Sequence, residues 1–90
     1  MNFDHPPKPI KMARPQYPNE AFVKKIEGTV IIEILIDATG RVFPVRVIQS
    51  IPALDQAAKE TVKQWIFSPA VKNGKAVATI ANAPVSFRIF

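Results

Sequence analysis

One nine-residue stretch, Thr29 to Asp37, limits what this chain can fold into, because every second position in it is aliphatic. Such a period of two predicts a β-strand with one face against a core. The two faces carry Val30, Ile32, Ile34 and Ile36 on the core side, and Ile31, Glu33 and Leu35 on the other. A sheet therefore has to be the centre of the fold.

The four residues after this strand predict a tight hairpin. Asp37 is a turn former in the first position and Gly40 closes the turn, so the chain is expected to return at once as a second strand over 41–50. In that strand we expect Val45 and Val47 to face the core and Arg46 to face solvent.

Two helices are predicted around this hairpin. Tyr17-Pro18 begins a short helix that places Phe22 and Ile26 on one face, with Gly28 as its left-handed stop. The second helix lies in "PALDQAAKETVKQW", where apolar residues recur at three- and four-residue steps. Those residues are Leu54, Ala58, Val62 and Trp65.

A third strand is predicted over 76–90, after an extended segment and a turn at Asn73-Gly74. Its inner face would hold Val77, Thr79, Ala81, Ala83, Val85, Phe87 and Ile89. Pro44 and Pro84 lie in the second and third strands, and proline is confined to sheet edges, strand starts or bulges. The proline-free first strand is therefore expected in the centre.

The predicted fold is α+β, with a two-layer architecture. A three-stranded antiparallel sheet in the order 2-1-3 carries both helices on one face. Residues 1–16 hold a Pro-Pro-Lys-Pro core that favours extended polyproline conformation, so we expect a linker end, extended or disordered, followed by one domain over 17–90. A chain of 90 residues with 48% hydrophobic content suits a single small domain.

Enzyme and metal functions have little support in the sequence. Cysteine is absent, and the single histidine, His5, lies in the proline-rich segment 1–16, which we call the leader. Metal binding would need more such ligands, and Ser50, Ser68 and Ser86 have no histidine that could act as their base. Asp37, Asp55 and Glu33 occupy ordinary solvated positions. We expect no catalytic residue, no metal and no cofactor.

Nucleic-acid binding is also disfavoured, although the net charge is +5. An RNA-recognition sheet needs outward-facing aromatic residues on its central strands, whereas the outward positions here are Ile31, Glu33 and Leu35. The remaining candidate is the last strand, whose outer N–H and C=O groups would be unpaired and able to accept another strand. Pro84 would make that pairing split or short.

The order of several motifs resembles the C-terminal domain of TonB energy transducers over about residues 14–90. The motifs are "PQYPNEAFVKKIEG", Asp37 to Gly40, "VIQSIPALDQAAKETVKQWIFSPA", "NGKAV" and the closing "PVSFRIF". No single motif is specific, but the set is.

The resemblance implies a periplasmic, non-catalytic domain of a protein anchored in the inner membrane by an N-terminal helix. It implies that an ExbB-ExbD motor drives the protein, and that the domain binds the TonB box of outer-membrane transporters beside its last strand. The cargo would be ferric siderophores, cobalamin or similar nutrients. This chain lacks the anchor and most of the linker, so it is expected to be a fragment.

The resemblance also implies a set of partner-binding residues in two segments. They are Arg14, Gln16 and Tyr17 before the first helix, and Val77, Thr79, Ile80, Ala81, Asn82, Ala83, Val85, Ser86, Phe87 and Arg88 in the last strand. Two alternatives stay open: a structural or assembly domain, TonB- or TolA-like, of another cell-envelope or sensor protein, and a homodimer that forms through the exposed strand edges.

Overall fold

In the computed structural model, which describes residues 3–89, two helices and seven strands follow one another along the chain. The helices are α1 (Asn19–Val23) and α2 (Pro52–Val62). The strands are β1 (Lys8–Lys11), β2 (Gly28–Ile36), β3 (Val42–Gln49), β4 (Ile66–Ser68), β5 (Ala70–Lys72), β6 (Lys75–Val77) and β7 (Thr79–Phe87).

The largest sheet has the order β3-β2-β7, with both outer strands antiparallel to β2. This confirms the predicted α+β class and the predicted order 2-1-3. Two smaller antiparallel pairs, β1-β4 and β5-β6, add to it. The proline-free strand is central because its N–H groups must bond on both sides, whereas Pro44 and Pro84 lie on the two outer strands.

The core lies between this sheet and the helices. All four aliphatic residues predicted for the inner face of β2 are at most 1% exposed, and they cluster with Leu54, Ala58 and Val62 of α2 and Ala21 of α1. Both helices therefore share one face of the sheet, as predicted, with α2 packed on β2 and β3. Replacement of Leu54, which is fully buried, with alanine would cost about 2 to 5 kcal/mol.

The hairpin turn between β2 and β3 is confirmed. The Asp37 carboxylate accepts hydrogen bonds from the Thr39 N–H at 2.8 Å and the Arg41 N–H at 3.0 Å. Gly40 has a φ of +89°, and its carbonyl accepts a hydrogen bond from the Phe67 N–H at 3.0 Å. A Cβ at Gly40 would overlap the Phe67 carbonyl oxygen, so glycine is required by both its backbone angle and this close approach.

The prediction for Val45 is wrong. The register of β3 against β2 shifts at two places. At one of them Glu33 pairs with Arg46 and Ile34 with Pro44, so Val45 is the extra residue of a β-bulge. Its side chain is 52% exposed. Val47 packs against the core and Arg46 points out, as predicted. Bulges are common on edge strands because the outer side has no partner to keep the register.

The first helix is shorter than predicted. It ends at Val23, Lys25 takes the left-handed conformation at φ +56°, and Ile26 lies beyond the helix, although it still packs against the core. Phe22 is 51% exposed, so it does not share a buried face with Ile26. Gly28 is not the helix stop, since it begins β2, where a Cβ would collide with Ile51.

The predicted strand over 76–90 is two strands. A turn at Asn73-Gly74, with φ angles of +52° and +76°, joins β5 to β6, and β7 begins only at Thr79. Phe90 lies outside the described residues. The alternation within β7 is as predicted, since Ala83, Val85 and Phe87 are buried.

Most of the leader contacts β4 and β5. β1 pairs with β4, and the N–H groups of Asp4 and His5 both donate to the Val71 carbonyl. The Trp65 indole N–H donates to the Ala13 carbonyl at 3.1 Å. Met1 and Asn2 lie outside the described residues, and the boundary between a linker end at 1–16 and a domain at 17–90 stays a prediction.

Candidate strand-addition site

The candidate site is the outer edge of β7. All nine residues of β7 pair with β2 without a register shift, from Thr79 against Ile36 to Phe87 against Gly28. Among residues 3–89, no strand pairs with the other side of β7. The last strand of the sheet is therefore an edge strand over its whole length.

One side-chain hydrogen bond fixes which backbone groups of β7 point outward. The Gln49 side chain of β3 donates to the Thr29 carbonyl at 2.6 Å, so Thr29 directs its carbonyl toward β3 and away from its β7 partner, Ser86. In an antiparallel pair, hydrogen-bonded and non-bonded positions alternate. Ser86 and Pro84 are therefore both non-bonded toward β2, and their backbone groups face the free edge.

The same alternation determines which backbone N–H and C=O groups of β7 face the free edge. The N–H groups of Ile80, Asn82 and Ser86 point outward, together with the carbonyls of these residues and of Pro84. Pro84 has no N–H, so it leaves a gap in the row of donors between Asn82 and Ser86. This also explains why a proline in β7 requires no bulge against β2.

The side chains of β7 divide between two faces. Ile80 is 54% exposed on the helix-free face, where Asn82, Pro84 and Ser86 are also exposed. Thr79 and Ala81 are half-buried on the helix side, and Ala83, Val85 and Phe87 belong to the core on that side. Of the predicted partner-binding residues in this region, Val77 lies in β6 and Arg88 follows the end of β7.

Tyr17 connects the leader to the end of this edge strand. Its ring packs edge to face on Phe87, with 5.4 Å between centroids, and in the same way on Phe22, at 5.6 Å. Its hydroxyl donates to the Ile26 carbonyl. Desolvation raises the pKa of the Tyr17 hydroxyl, the Glu27 charge raises it further, and Arg88 lowers it.

Arg14 and Gln16 lie in a different place from β7. They line a cleft of about 630 Å³ between the leader and α2, with Tyr17 at one side of it, Gln56 and Glu60 on the helix, and Gln64 just after the helix ends. The structure therefore brings Tyr17 to the last strand, through Phe87, and places Arg14 and Gln16 over α2.

Two apolar residues next to this site were not predicted to lie on the surface. Phe22 and Val23 are 51% and 70% exposed at the end of α1. The helical pattern had placed Phe22 and Ile26 on one face, and it gave no sign that Lys25 takes a left-handed conformation and ends this turn of the chain early.

Two of the three serines considered as nucleophiles, Ser50 and Ser86, have structural partners. The Ser50 hydroxyl donates to the Asp55 carboxylate, and the Ser86 and Thr29 hydroxyls lie 3.0 Å apart across the β2-β7 pair. His5 forms an isolated bridge with Val71. A side-chain hydrogen bond from Thr39 lowers the pKa of Asp37, with backbone bonds from Arg41 and Thr39 acting in the same direction.

These features define a class: a small two-layer α+β domain whose last strand is a long edge strand with regular pairing on its inner side. Residues 13–89 match the family profile described as the Gram-negative bacterial TonB protein C-terminal. The chain belongs to this family, and it is a non-catalytic domain of that kind, as the sequence predicted.

Similar proteins support this assignment. Protein TonB of Vibrio cholerae is 39% identical over 88 residues, which are 96% of this chain and 36% of the relative. Protein TonB of Pseudomonas aeruginosa is 34% identical over 84 residues, 91% of this chain and 25% of the relative. The solution NMR structure of the Pseudomonas aeruginosa TonB CTD is 31% identical with a TM-score of 0.68, and the match covers 96% of this chain and 89% of that one.

The chain spans between 25% and 36% of the length of these curated relatives. Within the described part of the chain, no helix has the length and apolar character needed to cross a membrane.

Proposed function

We propose that this domain binds the TonB box of outer-membrane transporters, as an added β-strand along the outer edge of β7. The free edge carries the proposal: a nine-residue strand with a regular pairing on one side presents N–H and C=O groups on the other. Strand addition uses such groups for affinity and alternate side chains for specificity. Membership of the TonB C-terminal family, for which the sequence resemblance implies a transporter partner, favours a transporter segment over another kind of strand.

The wider setting belongs to the same proposal. The domain would work in the periplasm, as part of a protein anchored in the inner membrane by an N-terminal helix and driven by ExbB-ExbD. It would support uptake of ferric siderophores, cobalamin or similar nutrients. Tension from the linker would reach the sheet by way of Tyr17, whose ring contacts Phe87 at the end of the strand that holds the partner.

The expected affinity is modest. Four to six strand hydrogen bonds contribute about 0.5 to 1.5 kcal/mol each, and ordering of the peptide offsets part of that sum. The upper end of this range corresponds to a dissociation constant of about 1 μM, or roughly −8 kcal/mol, which is the tightest binding we expect. A complex of this strength can release its partner after each pull.

NMR titration of the domain with TonB-box peptides tests the proposal. We expect shifts in β7 and its flanks, over residues 77–88, and in the leader over 13–18. The β3 strand, the opposite edge of the same sheet, is the internal control and should shift little. No shift with any such peptide at millimolar concentration would overturn the proposal and favour a structural or assembly domain.

A further inference from the structure

The end of α1 exposes two large apolar side chains. Ala21 is 1% exposed and anchors the helix in the core, whereas the next two side chains, Phe22 and Val23, are 51% and 70% exposed. The two residues are consecutive in the chain, and we call their exposed apolar side chains the α1 patch.

The α1 patch is connected to the free edge of the sheet. The Phe22 ring packs on Tyr17 at 5.6 Å between centroids, and Tyr17 packs on Phe87 at 5.4 Å. α2 packs on β2 and β3, whereas the Phe87 ring at the end of β7 is covered by the Tyr17 ring, which also contacts Phe22. The patch therefore stands on the helix side of the sheet, near one end of the edge strand.

A strand added along β7 would lie about 4.8 Å from it and would direct every second side chain toward the helix side. Side chains of the added strand that lie beside Ala81 and Ala83 would contact only these small residues. Toward the Phe87 end they would approach the level of Tyr17 and Phe22, where the α1 patch supplies an exposed apolar surface.

We propose that the α1 patch receives an aliphatic side chain from the helix-side face of the strand that adds to β7. The inference rests on the proposed function and names a side-chain preference of that same site: a transporter segment with an aliphatic residue at the end that lies beside Phe87. Continuity with the β7 edge favours this occupant. The leader, whose own apolar residue Ile10 is 68% exposed, is already seated on β4 at the other side of the domain.

The experiment is a titration of wild type and variants with the TonB-box peptide that gives the largest shifts in wild type. Phe22→Gln and Val23→Thr each remove apolar surface from the patch and keep a residue that a helix tolerates. Loss of contact with one aliphatic side chain corresponds to about five- to tenfold weaker binding. Val45→Thr, the same chemical change at a side chain that is 52% exposed on the opposite edge, is the matched control and should stay within about twofold of wild type.

A peptide with its end aliphatic residue replaced by serine completes a double-mutant cycle. We expect this peptide to bind wild type weakly and Val23→Thr with little further loss, because both changes remove the same contact. Normal affinity of Phe22→Gln and Val23→Thr for the unmodified peptide would overturn the inference and leave the proposed function standing. Absence of binding by wild type would overturn both.

Sedimentation of the free domain tests whether a second copy of this chain, instead of a transporter segment, covers the α1 patch. If the α1 patch were covered by a second copy of this chain, Phe22→Gln and Val23→Thr would convert a dimer to a monomer. That result, with unchanged peptide affinity, would also overturn the inference.

Discussion

The rings of Tyr17 and Phe87 pack edge to face with 5.4 Å between their centroids. Tyr17 directly precedes Pro18, the residue before α1, and Phe87 ends β7, so this contact joins the leader to the strand that presents the free edge. Edge-to-face pairs stabilise beyond simple burial of area. The contact therefore stabilises the fold and connects the two predicted binding segments through their side chains.

Substitution of Phe87 with leucine tests this contact. Phe87 is 1% exposed, and the change keeps an apolar side chain of similar volume, so we expect a loss of about 1 to 1.5 kcal/mol in the free energy of unfolding. Chemical denaturation of wild type, Phe87→Leu, Tyr17→Leu and the double variant measures the coupling. If the ring pair is the source of the stability, Phe87→Leu should cost less when Tyr17 is already leucine; strictly additive costs would contradict this.

A second prediction concerns the close contact between Gly40 in the hairpin turn and the Phe67 backbone of β4. An added methyl group would overlap the Phe67 carbonyl oxygen, and the φ of +89° is itself unfavourable for alanine. We expect Gly40→Ala to cost about 3 kcal/mol or more. Gly74→Ala is the matched control: its φ is +76°, but open space surrounds the new Cβ, so only backbone strain of about 1 to 2 kcal/mol is expected. Equal losses in thermal or chemical unfolding would show that the close approach to Phe67 is unimportant.

The leader gives a third prediction, which also tests the domain boundary. The N–H of Val71 donates to the His5 carbonyl, and the N–H of Asn73 donates to the Asp4 carboxylate at 2.7 Å. Removal of residues 1–12 should therefore speed amide exchange at Val71 and Asn73, while β2 stays protected because its hydrogen bonds lie within the central sheet.

The single variant Asp4→Ala separates the two contacts, because it removes only the acceptor for Asn73. Exchange at Val71 should then stay slow. Loss of protection throughout β2 after the deletion would show that the leader is part of the folding unit and would move the boundary ahead of residue 17.

The pH dependence of stability should carry a contribution from Asp37. Hydrogen bonds to its ionised carboxylate hold its pKa below the ordinary value of 3.8 in the folded state. A lowered folded pKa means that the contribution is fully present above pH 3.8 and is lost as the pH falls through the folded value. Denaturation of wild type and Asp37→Asn between pH 2 and 6 checks this: the stability difference should shrink toward the acid end. A difference that does not change with pH would assign the effect to geometry alone.

The sequence predicted the central sheet well because its signals are local and consistent. The alternation in β2 and the turn at Asp37 to Gly40 each follow from neighbouring residues, and the prolines at 44 and 84 correctly assigned the two edges. Nothing local predicts the bulge at Val45, which results from how β3 slips along β2. A single-residue shift reverses the side-chain direction, so the prediction for Val45 was wrong while that for Val47 was right.

The small elements were harder to predict for a related reason. Lys25 adopts a left-handed conformation that lysine rarely takes, so no residue type signalled the early end of α1. The separation of β6 from β7 and the seating of the leader on β4 depend on pairing between distant residues. The candidate edge could be predicted, because it follows from strand order, whereas the apolar surface beside it depends on where α1 ends.

Pro84 provides the most direct test of the edge. Its N–H is missing at an outward position, so Pro84→Thr should restore a donor between Asn82 and Ser86 and give an unbroken row along β7. One added hydrogen bond corresponds to about two- to tenfold tighter binding of a TonB-box peptide, measured by titration. Self-association should rise as well, because proline on an edge strand discourages pairing with other chains.

Pro44→Thr is the matched control for this variant. By the same alternation Pro44, opposite Ile34, directs its nitrogen away from β2, so the change adds a donor to the outer edge of β3 and should leave peptide binding at β7 unchanged. The contrary outcome is equally clear. If Pro84→Thr raises the free energy of unfolding and does not alter peptide affinity, its nitrogen faces β2, and the assignment of outward groups along β7 is reversed.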